Sequence, residues 1–330
     1  MNRMEMQRAQ KEAVRDRGAS TAESRDRDAV SRYLMVNAAI PGHQASAAAT
    51  EPAGAAGTPA EERPLVVAGL DDSAGGYLAV EQAAREAAWR GWRLRILHVQ
   101  DAPLRPGHLD RLRTSGAELL GDGAGRARAL EPALAVSTEL RVGSAAGELI
   151  NASSDAGLVV VGTRGRGGFS ELTTGSVAHH VAAHAQGAVL IVRIPPRPVG
   201  LEWIDRPILV GIDGSDDAYA AFDFAVGEAR LRGVSVLAVY ASPPGRPGDA
   251  DPLRAGTLAG FDTECRGVPV RRRLVDKDPR QALVGLSAQA SAVVVAARGR
   301  GGFGGLHTGS VTQALIHQSH SPVFVIHGRP

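Results

Sequence analysis

From Leu65 onward the chain alternates short, unbroken apolar runs with longer stretches in which apolar side chains recur every three or four positions. The runs Leu65–Leu70, Leu94–Val99, Val136–Val142, Leu158–Val161 and Ala188–Val192 predict strands. The stretches between them, Gly76–Arg90, Glu118–Leu130, Gly147–Ser153 and Ser176–His184, predict helices, the second of them weakly. Strands that are almost wholly Val, Ile and Leu are covered on both faces, as parallel strands joined by helical crossovers are. Right-handed crossovers then give an open, doubly wound α/β sheet of Rossmann-like type, whose ligands sit at the carboxyl ends of the strands where the strand order reverses.

The whole pattern occurs twice. Leu65-Val66-Val67-Ala68-Gly69-Leu70-Asp71-Asp72-Ser73 returns as Pro207-Ile208-Leu209-Val210-Gly211-Ile212-Asp213-Gly214-Ser215, with Asp71 and Asp213 lying 142 positions apart. Leu158-Val159-Val160-Val161-Gly162-Thr163-Arg164-Gly165 returns as Ala292-Val293-Val294-Val295-Ala296-Ala297-Arg298-Gly299, now 134 positions apart, so the second copy is eight residues shorter in between. Repeats this long are whole domains rather than solenoid units. The expected organisation is a domain over 63–194, a Pro-rich linker over 195–205 and a second domain over 206–328, each with a five-stranded parallel sheet.

Residues 1–62 differ from this in kind. Ala38 to Ala60 is almost all Ala, Gly, Pro, Ser and Thr, and residues 1–63 balance nine basic against nine acidic side chains. So little apolar surface cannot offset the entropy of ordering, and the segment reads as a disordered tail rather than a basic arm. Its charged beginning lacks the apolar core of a secretory signal. No apolar run approaches membrane-spanning length. The single cysteine, Cys265, rules out an internal disulfide and fits a cytoplasmic protein. With 37 basic and 35 acidic residues, little electrostatic drive toward nucleic acid exists.

The densest candidate chemistry follows the fourth strand of each copy. Gly162 and Gly165 are followed, nine residues on, by Gly175-Ser176, and Ser176 opens a helix. Glycines let backbone amides approach a phosphate closely, and a helix start adds donors and a favourable dipole. Arg164 and Arg166 lie on the same loop. Other motifs fail on their own requirements. Gly299-Arg300-Gly301-Gly302-Phe303-Gly304 has dinucleotide spacing, yet no Asp or Glu follows Asp278 to grip a ribose. Neither lysine, Lys11 or Lys277, stands in a Gly-rich loop, so no Walker A motif exists. His180 and His184, like His317 and His320, read as helix-surface residues rather than metal ligands.

Both halves resemble universal stress proteins, over about 260 residues. That family's nucleotide motif, Gly, two residues, Gly, nine residues, Gly-Ser/Thr, is complete in the first copy, while the second has Ala296 at its first position. The family also ends its first strand in Asp-Gly-Ser, matched by Asp213-Gly214-Ser215 and, but for its middle residue, by Asp71-Asp72-Ser73. The resemblance implies that Asp71 and Asp213 face adenosine and that Val99 and Ala241 reach adenine through main-chain atoms. It further implies that Gly162, Gly165, Gly175, Ser176 and Val177 hold ribose and phosphates, with Gly299, Gly309, Ser310 and Val311 their counterparts. The implied ligand is ATP, with Mg2+ as its companion ion. The implied assembly is an internal pair joined through Val189–Arg193 and Val323–His327, with a homodimer and a regulatory protein partner as further expectations. Ala296 is expected to crowd the second site with its methyl group. Three readings stay open: a nucleotide-dependent stress-response module without catalysis, a slow ATPase or nucleotidyl-transfer enzyme, and a dimerisation scaffold with vestigial sites.

Overall fold

The computed structural model describes residues 64–100, 109–163, 176–193, 205–243, 264–299 and 308–328. The tail, the linker residues 195–204 and the loop residues Arg164, Gly165, Arg166 and Gly175 lie outside them. The first domain runs β1 (Leu65–Gly69), α1 (Ala74–Arg90), β2 (Arg93–Gln100), α2 (Leu109–Leu130), β3 (Val136–Val142), α3 (Ala145–Ala152), β4 (Leu158–Gly162), α4 (Ser176–His184) and β5 (Ala188–Val192). The second runs β6 (Ile208–Ile212), α5 (Asp216–Arg232), β7 (Val236–Ala241), β8 (Glu264–Cys265), β9 (Val268–Val275), α6 (Pro279–Ser287), β10 (Ala292–Ala296), α7 (Ser310–Gln318) and β11 (Val323–Ile326). Among the described residues no helix is long and apolar enough to cross a membrane.

All eleven strands lie in the order β3-β2-β1-β4-β5-β11-β10-β6-β7-β9-β8. Within each domain the five main strands are parallel, and the two-residue β8 adds an antiparallel hairpin at the far edge, beyond the five strands expected. Strand order reverses between β1 and β4, and again between β6 and β10, which fixes where a crevice opens in each domain. Val66, Ala68, Val160 and Leu190 face one side of the sheet, while Val67, Val159, Val189 and Ile191 face the other, so the runs fill a core on each face.

α2 begins nine residues before the expected Glu118. Its glycines make it a poor helix by propensity alone, at roughly 1 kcal/mol each relative to alanine. Packing overrides this: a Cβ on Gly116 would stand 2.8 Å from Gln100 and Leu140, and one on Gly123 would stand 2.6 Å from Leu70. The glycines let the helix lie close to the sheet.

β5 and β11 meet antiparallel, pairing Val189 with Val325, Leu190 with Phe324 and Ile191 with Val323. This joins the domains by the strands the family resemblance implied. On one face of the seam, α1 and α5 contribute Glu86, Arg90, Glu228 and Arg232, whose side chains are each 7% exposed or less. Arg232 bonds Glu86 at 2.6 Å and Glu228 at 3.0 Å, and Arg90 bonds both carboxylates as well. Burial raises both carboxylates; at Glu86 the charges of Arg232 and Arg90 prevail and hold it below its ordinary value, whereas Glu228, beside the Glu86 charge, stays raised. Four groups this close titrate as a unit, and the ionised quartet is the form in which each has partners of opposite sign. On the other face the contacts are again reciprocal. Arg193 donates to the Ile316 carbonyl at 2.7 Å, and its counterpart His327 sets its ring nitrogens 2.9 and 3.1 Å from the carbonyls of Gly187 and Ala182.

Beside these contacts the rings of His179 and His317 meet across the seam, with centroids 5.5 Å apart. Burial lowers the pKa of both; His180 adds to the effect at His179, and His179 and Arg193 add to it at His317. The folded chain therefore holds them neutral where the unfolded chain would protonate them. Stability should fall as pH drops from about 6.5, the ordinary imidazole value, toward the lowered folded values, and should level off above it. Urea denaturation across that range should show this slope, and a His179→Gln/His317→Gln variant should flatten it. An identical slope in the variant would remove the pair from the explanation.

Candidate functional site

Each crevice begins with a turn that follows the first strand. In the first domain Ser73 caps α1 by accepting from the Gly76 N–H at 3.0 Å, and its hydroxyl donates to the Asp71 carboxylate at 2.5 Å. In the second, Ser215 accepts from the Ala218 N–H at 3.2 Å and donates to Asp213 at 2.6 Å. The turns then diverge for a reason visible in one residue. Gly214 takes a left-handed φ of 78°, which turns the Ser215 N–H onto the Asp213 carboxylate at 3.0 Å. Asp72 has no positive φ, and the Ser73 N–H bonds the Asp71 carbonyl at 2.7 Å instead. In that arrangement Asp71 presses against the helix start, where a Cβ on Gly76 would stand 2.5 Å from its carboxylate oxygen. Domain 2 places Ala218 there. Asp72 with Gly76 and Gly214 with Ala218 are matched pairs of residues serving two turn geometries.

Sequence reading missed His98. Its Nδ1 lies 2.8 Å from the Leu70 carbonyl, which fixes the end of β1 just before Asp71. Its counterpart is Tyr240, so the repeat gave no signal for it. β2 runs past this point: its register with β1 ends at Gly69 and Leu97, and Leu97 accepts from the Leu70 N–H at 2.9 Å. Two residues on, the Val99 main chain faces the same side beyond the end of β1, while its side chain packs on the core. Ala241 ends β7 in the same way, one residue past the register of β6.

The glycines divide into two kinds. A Cβ on Gly162 would stand 2.5 Å from the Gly75 carbonyl oxygen, so that position is glycine because α1 starts directly against β4. Ala296, its counterpart, packs its methyl into the core that α5 covers. We infer that this side chain serves packing toward the first helix of its domain rather than ligand fit, which the Ala296→Gly variant below tests. Gly299 lies under Asp213, whose carboxylate oxygen would be 2.4 Å from an added Cβ. Gly309 differs. Its φ of −69° suits any residue, and the described atoms nearest an added Cβ are the Ala297 carbonyl oxygen at 3.7 Å, the Gly299 nitrogen at 3.8 Å and the Arg298 Cα at 4.0 Å. Nothing among the described residues requires glycine at 309. A side chain there would stand between Gly299 and the start of α7.

Gly309 is the N-cap of α7, its own N–H donating to the Ala297 carbonyl at 2.8 Å, and the Ser310 beside it is exposed. Thr312 donates to the Ala296 carbonyl at 2.8 Å, tying the helix start to the end of β10. Asp213, Gly299, Gly309 and Ser310 thus come together at the crevice between β6 and β10. In the first domain Asp71 and Ser176 occupy the equivalent places, and the counterparts of Gly299 and Gly309, Gly165 and Gly175, lie outside the described residues. Val177 and Val311 turn their side chains into the core, leaving only their main chain to the crevice. His180 and His184 are exposed, stacked 6.2 Å apart, and set against carbonyls one turn back at 2.8 and 3.0 Å.

The universal stress protein family model matches residues 64–193 and, separately, 206–327. The chain belongs to the universal stress protein family. A universal stress protein of Mycobacterium tuberculosis (strain H37Rv) is 31% identical over 289 residues, covering 79% of this chain and 95% of that one, so the tandem arrangement is shared along nearly the whole relative. A solved universal stress protein from Archaeoglobus fulgidus has the same fold, with a TM-score of 0.65 at 21% identity over 82% of this chain and all of that one. Another from Archaeoglobus fulgidus, solved in complex with dAMP, is 33% identical and covers 37% of this chain and 98% of that one, with a TM-score of 0.32.

The packing roles of the paired positions lead to opposite expectations on mutation. Gly162→Ala drives a methyl into the backbone of α1 and should cost about 1–3 kcal/mol in chemical denaturation. Ala296→Gly should cost about 1 kcal/mol or less and leave ligand affinity unchanged. An Ala296→Gly protein that bound its ligand more tightly would return the methyl to the site.

Proposed function

We propose that this universal stress protein binds ATP, with Mg2+, in the crevice of each domain, and works in the cytoplasm as a nucleotide-dependent regulatory module. Asp71 and Asp213 would receive the ribose. Val99 and Ala241 would meet the adenine through main chain, and the glycines with Ser176 and Ser310 would hold the phosphates. Gly165 and Gly175 complete the first site in this reading. The observation that carries the proposal is Gly309, a glycine that neither its φ nor any neighbour among the described residues demands, set at the start of α7 beside Gly299. A helix start suits an anion, because its first-turn N–H groups and the helix dipole both favour negative charge.

Binding without turnover is the reading favoured over a slow ATPase. The described carboxylates at the crevices, Asp71 and Asp213, each accept from a neighbouring serine and anchor the turn. Phosphoryl transfer needs a positioned nucleophile and a charge clamp beyond that.

Gly309→Val tests the proposal at a position where the described residues leave an added Cβ in ordinary van der Waals contact. The variant should melt within about 2 °C of the parent, because a surface change away from packing costs only a few tenths of a kcal/mol. Isothermal titration with ATP, and with dAMP for comparison, should show one binding site lost per chain. A folded Gly309→Val protein with the parent's stoichiometry and affinity would refute the assignment.

A further inference from the structure

The strand pairing at the seam has little sequence-specific content of its own. Its ladder is main chain, and Val189, Leu190, Ile191, Val323 and Val325 are side chains that any buried parallel strand carries. Specificity must come from elsewhere, and the buried quartet is the strongest candidate. Glu86 and Arg90 stand four residues apart on α1, and Glu228 and Arg232 four apart on α5, each pair 142 positions from the other. The cross-domain bonds are reciprocal: Arg232 to Glu86 at 2.6 Å, and Arg90 to Glu228. All four side chains are 7% exposed or less, and Gln82 supplies a further bond to Glu86 at 2.9 Å. Arg232 also lies over the Trp89 ring at 5.0 Å and the Phe324 ring at 5.5 Å, tying the quartet to the seam strand beneath it.

We propose that the Glu-x-x-x-Arg pair on the first helix of each domain is a pairing code, which admits a domain carrying the same pair and rejects one that lacks it. The pattern is self-complementary, since Glu on one helix always meets Arg on the other. A helix with apolar residues at these places would leave the partner's Glu and Arg without cross-domain bonds in a dry interface. A helix with the two charges exchanged would set like against like. The domains that satisfy the code are the other half of this chain and, when that half is mismatched, the like half of a second copy. Buried ion pairs often add little stability over an apolar replacement, and fixing partner and register is their best-attested use.

Charge exchange in the full chain tests the code. Glu86→Arg/Arg90→Glu reverses the helix of the first domain, Glu228→Arg/Arg232→Glu reverses that of the second, and the fourfold variant reverses both. Either single-helix exchange should lower the melting temperature by on the order of 10 °C. It should also raise the mass in light scattering above the parent's, because an exchanged helix finds its match only in a second exchanged helix. The fourfold variant should regain most of the melting temperature and the parent's mass. The proposal is overturned if a single-helix exchange melts like the parent, if the fourfold variant recovers nothing, or if all variants keep the parent's mass.

Discussion

The antiparallel meeting of β5 and β11 is the constraint on which the rest of the molecule depends. Val189, Leu190 and Ile191 are wholly buried, so β5 reads as a central strand although it is the last of its domain. A strand apolar on both faces cannot stand at an open edge without inviting association. Covering it with β11 turns two five-stranded sheets into one continuous sheet and extends each core through both domains. The antiparallel sense does more. It points the carboxyl ends of the two sets of strands in opposite directions, so the two crevices open at opposite ends of the sheet.

The same near-twofold relation accounts for contacts that would otherwise look accidental. Glu86 and Arg90 repeat as Glu228 and Arg232, and Arg193 reaching Ile316 repeats as His327 reaching Ala182. Duplication followed by drift left both faces of the seam with reciprocal polar bonds around an apolar ladder. His179 and His317 break the symmetry: no histidine stands at the position matching either, yet the two rings meet.

Much of the fold was legible because the runs and their offsets are strong signals. Leu158–Val161 and Ala292–Val295 could be little else than buried strands, and the repeat of Asp71 as Asp213 marked the ends of β1 and β6. The seam was legible only through family resemblance, since hydrophobicity alone does not order strands. The quartet was not legible at all. Glu and Arg four apart on a helix ordinarily lie in water, and only the approach of α5 to α1 buries them. The site was half legible. Glycine spacing located the crevice but could not say which glycine serves packing and which a ligand. Gly162 answers to Gly75, and Gly299 to Asp213, and neither contact has any trace in local sequence. Gly309 stands apart because no described neighbour demands a glycine there.

In the proposed function each crevice of this universal stress protein holds an adenine nucleotide. Mass analysis of small molecules released by denaturing gently purified protein, before and after incubation with ATP and Mg2+, tests it most directly. Adenine nucleotide approaching two per chain is expected after incubation. Protein that is folded, carries no nucleotide as purified and takes up none from ATP would contradict it.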